Sequence, residues 1–74
     1  MEKTKRLIVS RDTIGFIKSI LESYEDIGIL SVIDGEKGLI EIIYSVFFEE
    51  DLIAILKDMK NNGIDYMEVN DGCA

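Results

Sequence analysis

Two short stretches hold the residues whose types and spacing could do chemistry. "SRDTIG" at residues 10–15 sets Arg11, Asp12 and Thr13 beside Gly15, where a β-type run gives way to helical spacing. A helix start offers free backbone N–H groups and about half a positive charge, so it attracts anions. Asp12 already stands at this one, and Glu49, Glu50 and Asp51 stand at the start of a second helical segment. With carboxylates in both places a phosphate-rich ligand is disfavoured. A zwitterion such as an amino acid suits the mixture better, its carboxylate meeting Arg11 and its amine meeting an acid. Arg11, Asp12, Thr13 and Gly15 are therefore the candidate ligand-binding residues. The competing reading is architectural: Ser10 or Asp12 caps the helix, and Gly15 allows the helix to pack closely on a sheet.

Other chemistries find no residues to carry them. The 74 residues contain no His and one Cys, Cys73, which is next to last. There is then no Ser-His or Cys-His pair, no internal disulfide and no cysteine pair for a metal. Glu49, Glu50 and Asp51 are consecutive, so on a helix they fan out instead of converging on one ion. "DGEKG" at 34–38 lacks the spacing of a phosphate loop and precedes a strand, so it reads as a turn. Tyr24, Tyr44 and Tyr66 read as core or rim residues. The expectation is a protein with no catalytic residues, no metal and no cofactor, hence not an enzyme.

Charge and hydropathy narrow the partners. Fifteen acids against eight bases leave a net charge of −7, opposite to the basic footprint of a nucleic-acid binder. Lys3, Lys5, Arg6 and Arg11 are half of the bases, and they read as a solvated first strand. No apolar run approaches the ~20 residues of a membrane helix, and the charged start has no secretory pattern. A lone cysteine suits a reducing compartment. The expectation is a cytoplasmic protein, with no nucleic-acid or membrane partner.

The elements that must position these residues follow from periodicity. "RLIVS" at 6–10 reads as a strand, and Ile14, Ile17, Ile20, Leu21 and Tyr24 mark one face of a helix over 12–25. Strands over 27–34 and 39–46 flank the turn at 34–38, where Gly35 and Gly38 can take positive φ. Leu52, Ile55, Leu56 and Met59 mark a second helix over 48–61, which Asn61-Asn62-Gly63 stops. A last strand covers 64–69. A shift of 35 residues lays the second half on the first without a gap: Ser10 falls on Ser45, and Ile17, Ile20, Leu21 and Tyr24 fall on Leu52, Ile55, Leu56 and Met59. Two such βαβ units predict an α+β, ferredoxin-like split βαβ fold: a four-stranded antiparallel sheet in order 4-1-3-2, with both helices on one face. The central strands 1 and 3 are read as parallel to each other, which would set the loops Ser10–Gly15 and Ser45–Asp51 side by side. Residues 1–74 form one domain, with 1–5 and 70–74 as flexible tails.

The second face of this sheet is also apolar. If Leu7, Val9, Ile42 and Tyr44 face the helices, Ile8 and Ile43 face away. A four-residue loop at 35–38 pairs Asp34 with Leu39, Val32 with Glu41 and Leu30 with Ile43. That puts Ile8, Leu30, Val32, Leu39, Ile43 and Met67 on the open face, with Val69 beside them. The expectation is a homo-oligomer, most simply a two-fold dimer, that buries this face or extends the sheet through an edge.

Within residues 6–69, Asp12, Ile14, Phe16, Ile17, Lys18, Ile20, Leu21, Glu22, Tyr24, Glu25, Gly28 and Asp34 carry a pattern of strand, acidic turn, "IxFIKxILESYE"-like helix, Gly, and strand ending in Asp. In these residues the chain resembles a family of small, uncharacterised bacterial domains of unknown function. The resemblance implies a ferredoxin-like or ACT-like domain in a cytoplasmic protein, with no established activity. ACT domains bind amino acids at the loop after the first strand and do so as dimers. The readings are thus a non-catalytic interaction and oligomerisation domain, open to a regulatory role, with a small polar ligand or a protein as partner, or an ACT-like amino-acid sensor using Arg11, Asp12, Thr13 and Gly15.

Overall fold

The computed structural model describes residues 1–24 and 27–69. The predicted tail at 70–74, Cys73 and the helix residue Glu25 lie outside them. The elements are β1 (Glu2–Val9), α1 (Ile14–Ser23), β2 (Gly28–Asp34), β3 (Leu39–Ser45), α2 (Glu49–Asn61) and β4 (Tyr66–Val69). A single 3₁₀ turn leads into each helix, at Arg11–Thr13 and at Val46–Phe48. β1 begins at Glu2, so residues 2–5 are strand and not tail. Their pairing with Ile42–Ser45 supplies the backbone partners that a charged sequence did not advertise.

The sheet runs β2-β3-β1-β4, which is the expected 4-1-3-2 order, and every pair is antiparallel. The arrangement is the ferredoxin-like split βαβ. The central pair corrects the parallel reading. A helical crossover brings β2 back in the direction of β1, and the hairpin then reverses β3, so β3 must run against β1. Glu2 accordingly pairs with Ser45, and Ile8 with Leu39.

One face of the sheet and the inner sides of both helices make the core. Leu7, Ile17, Ile40, Ile42 and Leu52 are fully buried, with Leu21, Tyr44, Leu56 and Met59 nearly so. Ile14, Ile20, Leu30, Ile64 and Tyr66 pack around them. Tyr24 departs from the predicted helical face and is exposed. It is the residue after α1 ends, where the backbone has left helical geometry.

Two turns fix the ends of elements. Gly38 takes φ +72° and is buried, and its carbonyl accepts a hydrogen bond from Val9 N–H at 2.9 Å. Gly35 does not share the positive φ expected of it. α2 stops in a Schellman arrangement. Gly63, at φ +90°, donates to the Lys60 carbonyl, and Ile64 donates to the Met59 carbonyl at 3.0 Å. Ile64 then packs on the core beside Met59.

The hairpin register differs from expectation by one residue. Asp34 does pair with Leu39, but a bulge at Ile33 displaces the rest of β2 by one position. Val32 therefore pairs with Ile40, Leu30 with Ile42 and Ile29 with Ile43. Antiparallel partners share a face. Leu30 and Val32 thus lie on the helix side, against the prediction that they face outward, and Ile29 and Ser31 lie on the open side.

Candidate functional site

The turn after β1 is built by its backbone. The Ser10 carbonyl accepts from Thr13 N–H at 2.9 Å and from Thr13 Oγ1–H at 2.8 Å. The Ser10 side chain makes no cap hydrogen bond. The capping role read for Ser10 is found instead at its repeat counterpart, where Ser45 Oγ accepts from Phe47 N–H at 3.2 Å. Gly15 is exposed on α1, and a Cβ there would meet nothing within 4 Å. Close helix–sheet packing is therefore not the reason for this glycine.

Two shallow grooves flank the turn. One, of about 540 Å³, lies between the turn and β4, with Val9, Ser10, Thr13, Ile64, Asp65 and Tyr66 along it. The other, of about 510 Å³, lies between the helices, with Asp12, Thr13, Phe16, Asp58, Asn62 and Ile64 along it. Thr13 and Ile64 form the ridge shared by both. Of the four candidate ligand residues, Asp12 and Thr13 line these grooves; Arg11 is exposed outside them and Gly15 contributes no wall. Sequence reasoning missed the wall supplied by the α2–β4 connection. Its signal was present: an antiparallel β4 must start where β1 ends, which brings the "NNG" helix stop to the same place. Tyr66, on that wall, carries Lys60 over its ring at 4.6 Å from the centroid. Burial, then the charge of Glu68, raises the pKa of the Tyr66 hydroxyl.

The acids of α2 do not join this site. β3 is antiparallel to β1, so Ser45–Asp51 sits at the opposite end of the sheet. There Lys3 Nζ donates to both Glu49 oxygens, at 3.2 and 3.4 Å, and the Tyr44 hydroxyl donates to Glu49 Oε2 at 3.2 Å. The Lys3 hydrogen bond holds the Glu49 carboxyl below the usual glutamate value, with help from Tyr44, while burial opposes this. Burial chiefly, and then Glu49, raise the Tyr44 hydroxyl. This cluster ties the start of β1 to the start of α2. Glu49 acts as a strut, and among the described residues no three potential metal ligands gather.

The open face of the sheet is ordered in three rows across the strands. Met67, Ile8 and Leu39 form the first, in register with one another. Val69, Arg6, Glu41 and Ser31 form the second, where Arg6 Nε donates to Glu41 Oε2 at 3.2 Å. Thr4, Ile43 and Ile29 form the third. Ile29 is 68% exposed, Met67 64% and Ile8 37%, while Leu39, Ile43 and Val69 are half-buried. Four of the six predicted interface residues, Ile8, Leu39, Ile43 and Met67, are thus placed together. Leu30 and Val32 are not, and Ile29 takes their place. An ion pair divides the apolar rows, which periodicity alone did not reveal.

Among the described residues no helix is long and apolar enough to cross a membrane. Residues 7–62 match the family model described as domain of unknown function (DUF4911). No curated protein and no solved structure matches the chain.

Proposed function

The chain belongs to that family, and we propose that it is a non-catalytic interaction domain, regulatory in role, that self-associates through the open face of its sheet. The observation that supports this is the pair of apolar rows on the side away from the helices. Covering a large aliphatic side chain stabilises by roughly 1.5–3 kcal/mol when burial is complete. Six such residues on one face exceed the scattered exposure of an ordinary surface. The surplus of acids over bases in the sequence argues for a protein partner over a nucleic acid, and the single cysteine fits a cytoplasmic setting. Sedimentation and light scattering test the reading. The expected species has twice the 8.4 kDa chain mass. Ile29→Asp, at an exposed position, is expected to return it to a monomer with its circular dichroism unchanged. A wild-type monomer at every concentration overturns the reading.

A second reading rests on the two grooves that meet at Thr13. In it the domain is an ACT-like sensor of a small polar ligand such as an amino acid, with Asp12 and Thr13 in the groove walls and Arg11 and Gly15 at their margin. A ligand at a hundred times its Kd adds about 2.7 kcal/mol of stability. A thermal-shift panel of the twenty amino acids is expected to show one clear riser, and a flat panel removes this reading.

A further inference from the structure

We infer that β2, the outer strand beside β3, is a docking edge for the β2 of a second copy, paired antiparallel about Leu30 so that the two four-stranded sheets run into one. The inference goes beyond the open-face reading and does not rest on it: that contact uses side chains on one face, and this one uses backbone groups along one edge. The ladder at the centre of the sheet sets which groups they are. Val9 N–H donates to the Gly38 carbonyl, and Val46 N–H to the Met1 carbonyl, both at 2.9 Å. Bonded and non-bonded pairs alternate along antiparallel strands, so between these ends Lys3, Lys5 and Leu7 bond to Tyr44, Ile42 and Ile40. Glu41 and Ile43 must then turn their backbone groups toward β2, where they meet Ser31 and Ile29. The N–H and C=O of Gly28, Leu30 and Val32 are left pointing out of the sheet, and among the described residues no hydrogen bond reaches them.

A bare row of backbone donors and acceptors recognises another extended strand, and the features of this edge select the chain's own. Nothing blunts it: residues 28–33 hold no charge and no proline, the usual means of closing an edge. The regular part of β2 runs from Gly28 to Val32, ahead of the bulge at Ile33, and Leu30 is its midpoint. A two-fold axis through that midpoint, normal to the sheet, pairs Leu30 with Leu30 and Gly28 with Val32 of the second copy. All the outward residues are then bonded, with two hydrogen bonds to each pair, and a slide by one pair would leave some of them bare. β4, the opposite edge, turns out only Tyr66 and Glu68; pairing β2 with it would engage fewer groups and string copies head to tail instead of closing. The side chains agree with the two-fold. Gly28, Leu30 and Val32 lie on the helix side, and Val32 is still 51% exposed there. At the other end of the strand a groove of about 250 Å³ lies beside Gly28, walled by Lys18, Leu21 and Glu22 of α1. The axis lays Val32 of each copy against Gly28 of the other, where the absent side chain opens the groove to it. Knob and hole stand on one strand at equal distances from Leu30, and a rotated copy fits both.

The contact is small. About five paired residues at ~3.4 Å, across a sheet ~10 Å thick, give on the order of 200 Å² per copy, well below the ~800 Å² per partner of a standard interface. The pair is therefore expected to be weak and concentration-dependent. Its axis is normal to the sheet, whereas an axis that stacks two open faces lies in their plane, so the two contacts do not compete. Mass alone does not tell them apart, and the signature of the edge is the protection of particular amides.

The test is amide hydrogen exchange, read by nuclear magnetic resonance on the full chain from about ten micromolar to about one millimolar. The inward amides of Ile29 and Ser31 are expected to be protected throughout. Those of Leu30 and Val32 are expected to exchange, at the top of the range, at about half the dilute rate or less. A half-labelled sample is expected to show an Hα–Hα contact between Ile29 of one copy and Ser31 of the other, the non-bonded pair next to the axis. Val32→Pro deletes one outward donor, removes no bond to β3 and leaves the open face unaltered. It is expected to abolish both the concentration dependence and the contact while any open-face dimer remains. The wild-type measurements stand by themselves if that variant unfolds. Edge amides that exchange at one rate at every concentration overturn the proposal, and they leave the open-face reading intact where light scattering still finds a dimer. An intermolecular contact from β2 to β4 overturns the two-fold axis. A dimer that Val32→Pro reduces to a folded monomer supports the edge and overturns the open-face reading instead.

Discussion

Replacing Gly38 with Ala tests the most constrained point in the fold. Gly38 ends the hairpin turn, is buried, and takes φ +72°. A Cβ built there falls far inside van der Waals contact with the Val9 carbonyl oxygen and crowds the Val9 carbonyl carbon as well. These are backbone atoms, so no rotamer change relieves the clash. The left-handed conformation itself costs an L-residue roughly 1–2 kcal/mol, and an overpacked interior position typically costs about 1–3 kcal/mol. Relief requires moving the β3 start away from β1, which breaks the Val9–Gly38 hydrogen bond, worth about 1 kcal/mol. Together these give about 3–6 kcal/mol. A 74-residue domain has roughly 4–11 kcal/mol in all, so Gly38→Ala removes a large fraction of the stability. Gly15→Ala is the matched control. It adds the same methyl group to an exposed helix position with empty space around it, and is expected to stabilise by about 0.5–1 kcal/mol. Urea unfolding monitored by circular dichroism measures both. If Gly38→Ala lies within about 1 kcal/mol of wild type, the steric reasoning is wrong.

The remaining predictions concern the two ends of α2. Gly63→Ala puts an L-residue at φ +90° with no steric neighbour, so only the backbone cost applies. The expected loss is roughly 1–2 kcal/mol, and a loss as large as that of Gly38→Ala would show that more than conformation is at stake. At the other end, Glu49 is held below its ordinary value of 4.5 chiefly by Lys3. Its contribution to stability is fully present above that value and is lost as pH falls below it, through the lowered folded pKa. Glu49→Gln is therefore expected to flatten the acid limb of the stability profile. Urea midpoints from about pH 7 down to about pH 3 read this, and an acid limb identical to that of wild type refutes it.

The core was legible because its two helices are strongly periodic: Leu52, Ile55, Leu56 and Met59 are all buried, as are Ile17 and Leu21. The register of β2 was not legible. "ILSVI" at 29–33 is apolar in both alternation phases, and only a polar residue on every second position ties a strand to one face. With no such tie, the bulge at Ile33 costs the sequence pattern nothing visible, and it moves Leu30 and Val32 to the helix side. The candidate site was half legible for a different reason. The turn after β1 announces itself through Asp12, Thr13 and the helix beyond them. Its opposite wall depends on strand direction, which no local pattern encodes.

The internal repeat did encode that direction. A shift of 35 carries Arg11–Thr13 onto Val46–Phe48 and the start of α1 at Ile14 onto the start of α2 at Glu49, so both 3₁₀ turns and both helix starts coincide. Ile17 and Leu52, Leu21 and Leu56, and Leu7 and Ile42 coincide in burial as well. Two copies of one unit whose first strands are neighbours in a single sheet, with both helices on the same face, can be related by rotation only about an axis normal to that sheet. Such an axis reverses the strand it passes, so β1 and β3 must be antiparallel. The same rotation sends the turn after β1 and the turn after β3 to opposite ends. Asp12 and Glu49 could therefore never have shared a ligand, and each turn answers to a different neighbour: the first to the α2–β4 connection and its grooves, the second to Lys3 and Tyr44. Repetition gave both turns the same backbone, and the residues placed on it made one a strut and left the other open.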